Sequence, residues 1–584
     1  MPLTFRKLLA SLLGTYTLYR ILRALYREST SPWRYLRGPP STHWLYGNLK
    51  EFMADENSGL EERWLQQYGR TSKFQSLFGV TVLHTADTKA IHHFLSNTQI
   101  YQKAEASRFS LGRIVGPGIL VVEGDIHKQQ RKIMNPAFGA LQVRELTDIF
   151  IDKSIQLRDI WVAQATDGTV RVEVLSWLSK ATLDIIGLAG FNYPIDSLGT
   201  PEGAPKNELA EAFEAVFAAE TGFTIGGFLQ MVFPILRGIP MEDKRVANAQ
   251  ATMKRIGRKL LADSRRQLAE DGEANSSRAR DLLTLLVRAN TAKDLPPDQR
   301  LSDEDVIAQV PTFLVAGHET TSTAVTWALF ALTQNLAAQA RLRAELLEVP
   351  TDRPTMDELS ASALPYLDWV VRETLRVYAP VPSTSRIALQ SDVVPLGTPV
   401  TDTQGKVHET LRIRKGEAIH IPINALNRDF EIWGEDALEF KPERWEFPPP
   451  AASAIPGVWG HMLTFLGGTR SCIGFRFAVI EMKALLFTLV RAFEFDLAVP
   501  ITDLGKKGTA IVQRPILNSD HVEEVEASSQ DNAHKFGREL LEPPAGGWVL
   551  MFSVRQEQSC AELNDRGQPL LLCVHDPAGG VTSV

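Results

Sequence analysis

The chain has 584 residues, 44% hydrophobic and 22% charged, with a formal net charge of −7. That length and ordinary composition can bury a large core, in one big domain or a few smaller ones, and exclude a disordered chain or a multi-span membrane protein. The acidic balance gives no overall attraction to nucleic acid, which is not expected as a partner, and any acidic partner must meet a local basic patch.

The first element is the uncharged stretch Leu8 to Tyr19, flanked by Arg6 and Lys7 before it and by Arg20, Arg23 and Arg27 after it. As a helix it spans about 18 Å, short of a hydrocarbon core of about 30 Å unless the arginines snorkel. A signal peptide shares this pattern, but no small-x-small cleavage site precedes Arg20, and the excess of arginine downstream favours a cytosolic body. Residues 1–30 are therefore expected to be a membrane anchor, with an amphipathic surface helix as the alternative. Gly38, Pro39 and Pro40 then form a stiff hinge into the main domain, taken as residues 31–519.

From Leu60 to about Pro500 long helical patterns alternate with short loops, and two strand clusters stand near Ser72 to His84 and Arg386 to Ile423. The expected fold class is mainly α with small β-sheets. Gly272 to Arg278 reads as a polar loop. The apolar run Glu220 to Pro240 is broken by glycines and prolines, and reads either as core or as a loop dipping into the membrane that holds the anchor.

In "VPTFLVAGHETTSTAVTWALF", Ser302 is a good N-cap with Asp305 three residues on, opening a helix that runs beyond Phe330. Pro311 and Gly317 lie inside it, so a bend or local opening is expected near Ala316 to Thr320. Glu319, Thr320 and Thr321 place polar groups there, although threonines on an apolar helix usually bond back to their own carbonyls. His318 has no histidine four residues away, which speaks against zinc. In "RETLRVYAPVPSTSR", Glu373 and Arg376 share a helix face. Alone such a pair is worth only about 0.5 kcal/mol, but Arg444 in "FKPERWEF" can close a charged cluster.

Cys472 is the sole cysteine of the first 559 residues, since Cys560 and Cys573 lie near the end. This rules out a disulfide framework or multi-cysteine zinc site in the body and fits reducing surroundings. It sits in "FLGGTRSCIGFRFA", just before an apolar helical run.

Together these residues resemble the cytochrome P-450 superfamily. Phe465, Gly468, Arg470, Cys472 and Gly474 match its haem-binding signature, and Ala478 falls where that signature continues. Ala316, Gly317, Glu319 and Thr320 are similar to the oxygen-binding helix motif, Glu373 and Arg376 to E-x-x-R, and Pro442 to Trp445 to the later P-E-R motif. The resemblance covers about Gly38 to Leu517 and is strongest to fungal microsomal members.

It implies a haem b held between the long oxygen-binding helix and the cysteine loop, with Cys472 as axial thiolate. The helix dipole after Cys472, and close approach of backbone N–H groups at Gly467, Gly468 and Gly474, would stabilise that anion. Arg470, Arg386, and His127 with Arg131 are expected to hold the propionates, His127 standing where the family usually has Trp. Glu319 and Thr320 are the expected catalytic pair, and Glu373, Arg376 and Arg444 a structural triad. The implied activity is a membrane-bound monooxygenase using O2 and NADPH through a cytochrome reductase, with cytochrome b5 as an optional donor, on the endoplasmic reticulum facing the cytosol. Lys128, Lys132, Arg476 and Lys483 are candidates for the reductase patch.

The expected substrate is an apolar small molecule of fungal secondary metabolism, terpenoid-like, with fatty acids or xenobiotics as alternatives. Phe109, Ile114, Val121, Ser383 and Thr384 are the expected pocket residues. Rival readings are a reductase-independent isomerase or peroxygenase and, outside enzymes, a haem-binding sensor. Residues 520–584 depart from the family and are expected to be a poorly packed extension, dispensable for haem uptake.

Overall fold

A computed structural model describes residues 26–517 with short gaps, residues 551–556, and a few positions before residue 26. Residues 1–13 of the expected anchor, most of the 220–240 run, the 272–278 loop and both C-terminal cysteines lie outside the described residues.

Helices dominate. Those that position the site are α1 (Glu105–Val115), α2 (Gly124–Met134), α3 (Ala140–Gln164), α4 (Val174–Phe191), α5 (Lys244–Asp271), α6 (Asp303–Ile307), α7 (Gln309–Gln334), α8 (Pro365–Val377) and α9 (Phe475–Ala492). α7 is buried along nearly its whole length, flanked by α4, α8 and α9. Gly317 exists for that packing: a Cβ there would stand 2.8 Å from Ile186 Cδ1 of α4. On the far side α9 packs on α3, with Phe477 edge-on to Phe150 at 4.7 Å. Each fully buried Leu, Val or Phe in this core contributes about 1.5–3 kcal/mol.

The strands are β1 (Thr71–Gln75), β2 (Thr81–Thr85), β3 (Tyr101–Gln102), β4 (Thr169–Glu173), β5 (Ser383–Ala388), β6 (Asp392–Thr401), β7 (Val407–Ile413), β8 (Ala418–Pro422), β9 (Phe493–Leu497), β10 (Leu504–Gly508), β11 (Gln513–Leu517) and β12 (Met551–Gln556). Both strand clusters read from sequence enter one five-stranded sheet, ordered β1-β2-β8-β5-β3, in which only β2 and β8 run parallel. β6–β7 and β10–β11 are separate hairpins.

Two expectations need correction. The Ser302 capping box forms as read, but the helix breaks at Ala308, between α6 and α7, and α7 is continuous through Ala316 to Thr320. Pro311 lacks an N–H, so the carbonyl four residues earlier, that of Ile307, loses its helical donor, and the interruption falls there. The C-terminal extension also contributes to the fold: β12 is the central strand of a three-stranded sheet, antiparallel to β4 on one side and β9 on the other.

By length and composition α4 is apolar enough to cross a membrane, but it is largely buried in the protein core.

Candidate active site

The Cys472 loop is held by backbone bonds. Cys472 N–H donates to Phe465 O at 2.8 Å, and the Phe465 ring lies edge-on to Trp459. Gly474 caps α9, and its N–H donates to the Cys472 thiol. The other two glycines make close backbone contacts. A Cβ on Gly467 would fall 1.7 Å from Pro456 O, and Gly468, with φ of +66°, would put one 2.5 Å from Leu95 O. They seat the loop against neighbouring backbone, and Gly474 stands at the sulfur.

The thiol is exposed, yet protein surrounds it deeply enough that burial pushes its pKa up, against the Gly474 N–H and Arg131. A side chain with both properties faces an internal space. Ala316, exposed in the middle of the buried α7, behaves the same way.

Around this space stands a group of cations. Arg386 on β5 is buried, and its Nη1 donates to Thr384 Oγ1 at 2.7 Å and Ser385 O at 2.8 Å. Arg470 donates to Val122 O at 3.0 Å and pairs with Glu123. Lys103 Nζ lies 3.7 Å from the same carboxylate. Arg131 reaches the cysteine loop, donating to Ser471 O at 2.5 Å. Burial, with Arg470 among the neighbouring charges, pushes Arg386 down to about 10 and Lys103 down to about 8. The same burial, together with Arg470, Lys103 and Arg131, takes His127 to about 3, so it is neutral and can offer a hydrogen bond but no charge.

Among the described residues Glu123 is the one carboxylate paired in this cluster, facing Lys103 and Arg470, with Arg386 and Arg131 nearby. Cations collected where water is scarce call for an anion. A thiol facing an internal space beside such an excess of positive charge is the donor set a haem with two propionates requires, and these residues fit it.

On α7, Thr320 Oγ1 donates to Ala316 O at 2.7 Å, and Glu319 pairs with Arg514 of β11 at 3.4 Å. His318 is buried and bonded through Nδ1 to Leu314 O at 3.0 Å; burial holds its pKa down to about 4. Glu373, Arg376 and Arg444 do meet in a buried network, with Trp445 Nε1 donating to Glu373 Oε2 at 3.0 Å.

Of the expected docking cations, Lys483 is excluded: it is buried, and its Nζ bonds Asp368 Oδ1 at 2.7 Å and Leu359 O at 3.1 Å. Lys128 and Arg476 are exposed. Of the expected pocket residues, Ile114 lines a cavity of about 350 Å³ between α1, α5 and the start of α7, Phe109 lies under the Arg237 guanidinium, and Thr384 is tied to Arg386. Lys103, Glu123 and Arg514 were not singled out from sequence. Lys103 and Glu123 meet Arg386 and Arg470 only through the pairing of β3 with β5 and the loop before α2, which no local motif encodes.

The cytochrome P-450 family model matches residues 37–517. Cytochrome P-450 monooxygenase 205 of Postia placenta is 52% identical over 500 residues, covering 84% of this chain and 91% of the relative. Monooxygenase 128 of the same fungus is 52% identical over 513 residues, covering 86% and 93%. Cytochrome P-450 monooxygenase claW of Ampulloclitocybe clavipes is 35% identical over 495 residues, covering 82% and 88%. The chain belongs to the cytochrome P-450 family and is a monooxygenase of that family, an oxidoreductase that works with a thiolate-ligated haem, dioxygen and a redox partner on a small molecule.

Proposed function

We propose that this monooxygenase is anchored in the endoplasmic reticulum membrane by residues 1–30, takes electrons from NADPH through a cytochrome reductase, and oxidises an apolar, terpenoid-like compound of fungal secondary metabolism. The observation that carries the site assignment is the excess of buried cations beside the Cys472 thiol.

In this reading Cys472 would ligate haem b, and a coordinated thiol gives up its proton outright, overriding the effect of burial. The chemistry such a haem would supply is the reductive activation of dioxygen, which thiolate ligation favours. Arg386, Arg470, Lys103 and Arg131 would hold the propionates as charge-assisted donors, and neutral His127 would add one hydrogen bond. Gly474 N–H keeps the sulfur oriented. Thr320 Oγ1 exchanges its bond to Ala316 O for a water, and Glu319 passes that water a proton. The apolar core around α7 excludes bulk solvent.

Purified full-length protein, reductase, NADPH and a panel of apolar scaffolds test this by product analysis. Oxygenated product formed in step with NADPH consumption supports it; product formed from peroxide alone, with reductase and NADPH inactive, would overturn the reductase-driven reading.

A further inference from the structure

Glu319 is held from outside its own helix. Arg514 Nη2 lies 3.4 Å from Glu319 Oε1, the carboxylate largely buried and the guanidinium partly open to solvent. The residue before Arg514 fixes that reach. Gln513 donates its N–H to Pro380 O at 2.8 Å and accepts at its own carbonyl from Trp327 Nε1 of α7 at 3.1 Å. Its side-chain Oε1 accepts from Asn424 Nδ2 at 3.5 Å. Three separate segments thus set the height of β11 along α7, and Arg514 meets the acid of the oxygen-helix motif as a consequence.

Other charged groups among the described residues stand near the pair. His318, on α7, is neutral and bonded to Leu314 O. Glu173, at the end of β4, is raised by burial to about 6, with Lys180 of α4 and Arg514 as its neighbouring cations. Lys506 of β10 sits over the Trp327 ring, 5.4 Å from its centre. Among the described residues, Arg514 is a cation that bridges the solvent side of the hairpin to the buried acid.

We propose that Arg514 is a positioning residue for Glu319: it holds the carboxylate ionised and turned toward β11, so that each proton taken from solvent by Glu319 requires the pair to part. This rests on the reading of Glu319 as proton carrier to Thr320. The proton comes from bulk water, resides on Glu319, and leaves to the water at Thr320 Oγ1, with no other bond made or broken. The β10–β11 hairpin thereby gates proton entry.

The test uses the haem-loaded full chain and its variants Arg514→Gln, Arg514→Lys and Glu319→Gln. The Glu319 carboxyl band is assigned in the infrared by its loss in Glu319→Gln. At neutral pH, Arg514→Gln should raise the protonated fraction of that band about tenfold, the effect of removing one adjacent cation from a carboxylate, and Arg514→Lys should largely restore it. With reductase and NADPH but no added substrate, the acid limb of the pH profile of peroxide released per NADPH should move to higher pH in Arg514→Gln, because a carboxylate without its cation takes up its proton at higher pH. A protonated fraction and profile unchanged in Arg514→Gln would overturn the assignment while leaving Glu319 its role. An unchanged peroxide ratio in Glu319→Gln would instead overturn Glu319 as proton carrier.

Discussion

Glu373 accepts from Arg376 through Nε at 2.9 Å and Nη2 at 2.7 Å, and neither side chain is exposed. The pair is embedded rather than isolated. Arg376 also donates to the carbonyls of Asn427, Ala437 and Glu439, and Arg444 reaches Glu373 Oε1 at 3.3 Å and Asp436 Oδ1 at 2.6 Å. This ties α8 to the segment that leads toward the cysteine loop. Glu373→Ala leaves two guanidinium groups buried without their shared anion, at about 3–5 kcal/mol. Denaturant unfolding should register a loss of that size together with low haem content. Near-normal stability would show that the network is dispensable.

The triad was readable because E-x-x-R fixes two charges on one helix face and an irregular, aromatic-rich stretch supplies the third. The cysteine loop was readable for a similar reason: its glycines, arginine and thiol are contiguous. Lys103, Glu123 and Arg514 were not, because strand pairing and hairpin docking bring them to the site from distant sequence. The break at Ala308 was misplaced by weighing Gly317 as a weak point of the helix, when it is a contact point for Ile186. Lys483 misled because a charged residue on an amphipathic helix usually faces solvent, whereas here Asp368 receives it inside the core.

Glu481 of α9 is fully buried, neither carboxyl oxygen has a hydrogen-bond partner of good geometry, and Thr321 of α7 is a polar neighbour. Burial raises its pKa well above the usual carboxylate range. The folded state therefore holds a proton that the unfolded chain releases above about pH 4, so this group lowers stability as pH rises through that range toward its folded pKa. Glu481→Gln should be more stable than the parent at neutral pH, with the gap closing toward about pH 4. Unfolding free energies measured across this range check it; parallel pH curves for the two proteins would contradict it.

β12 fills the space between β4 and β9. Ending the chain after Ser519 removes the sheet's centre and leaves both neighbours as unpaired edges. That truncation should lower the melting temperature and soluble yield, whereas ending it after Gln556 should preserve both. Equal melting temperatures for the Ser519 truncation and the full chain would show that β12 adds nothing to the fold.

Thr320→Ala removes the hydroxyl that bonds Ala316 O while keeping helix propensity high. Haem content should be unchanged, and peroxide released per NADPH should rise several-fold as oxygenated product falls. A variant that stays fully coupled would move the proton-holding role to Thr321 or to ordered water.

Ligation of haem by Cys472 is tested by the reduced carbon monoxide difference spectrum of the full-length protein and its Cys472→His variant. The parent should give the red-shifted Soret band of thiolate ligation. Cys472→His should bind haem in the same basic cradle but show the shorter-wavelength band of a nitrogen-ligated iron. A parent without the thiolate band, or a variant that keeps it, would contradict the assignment.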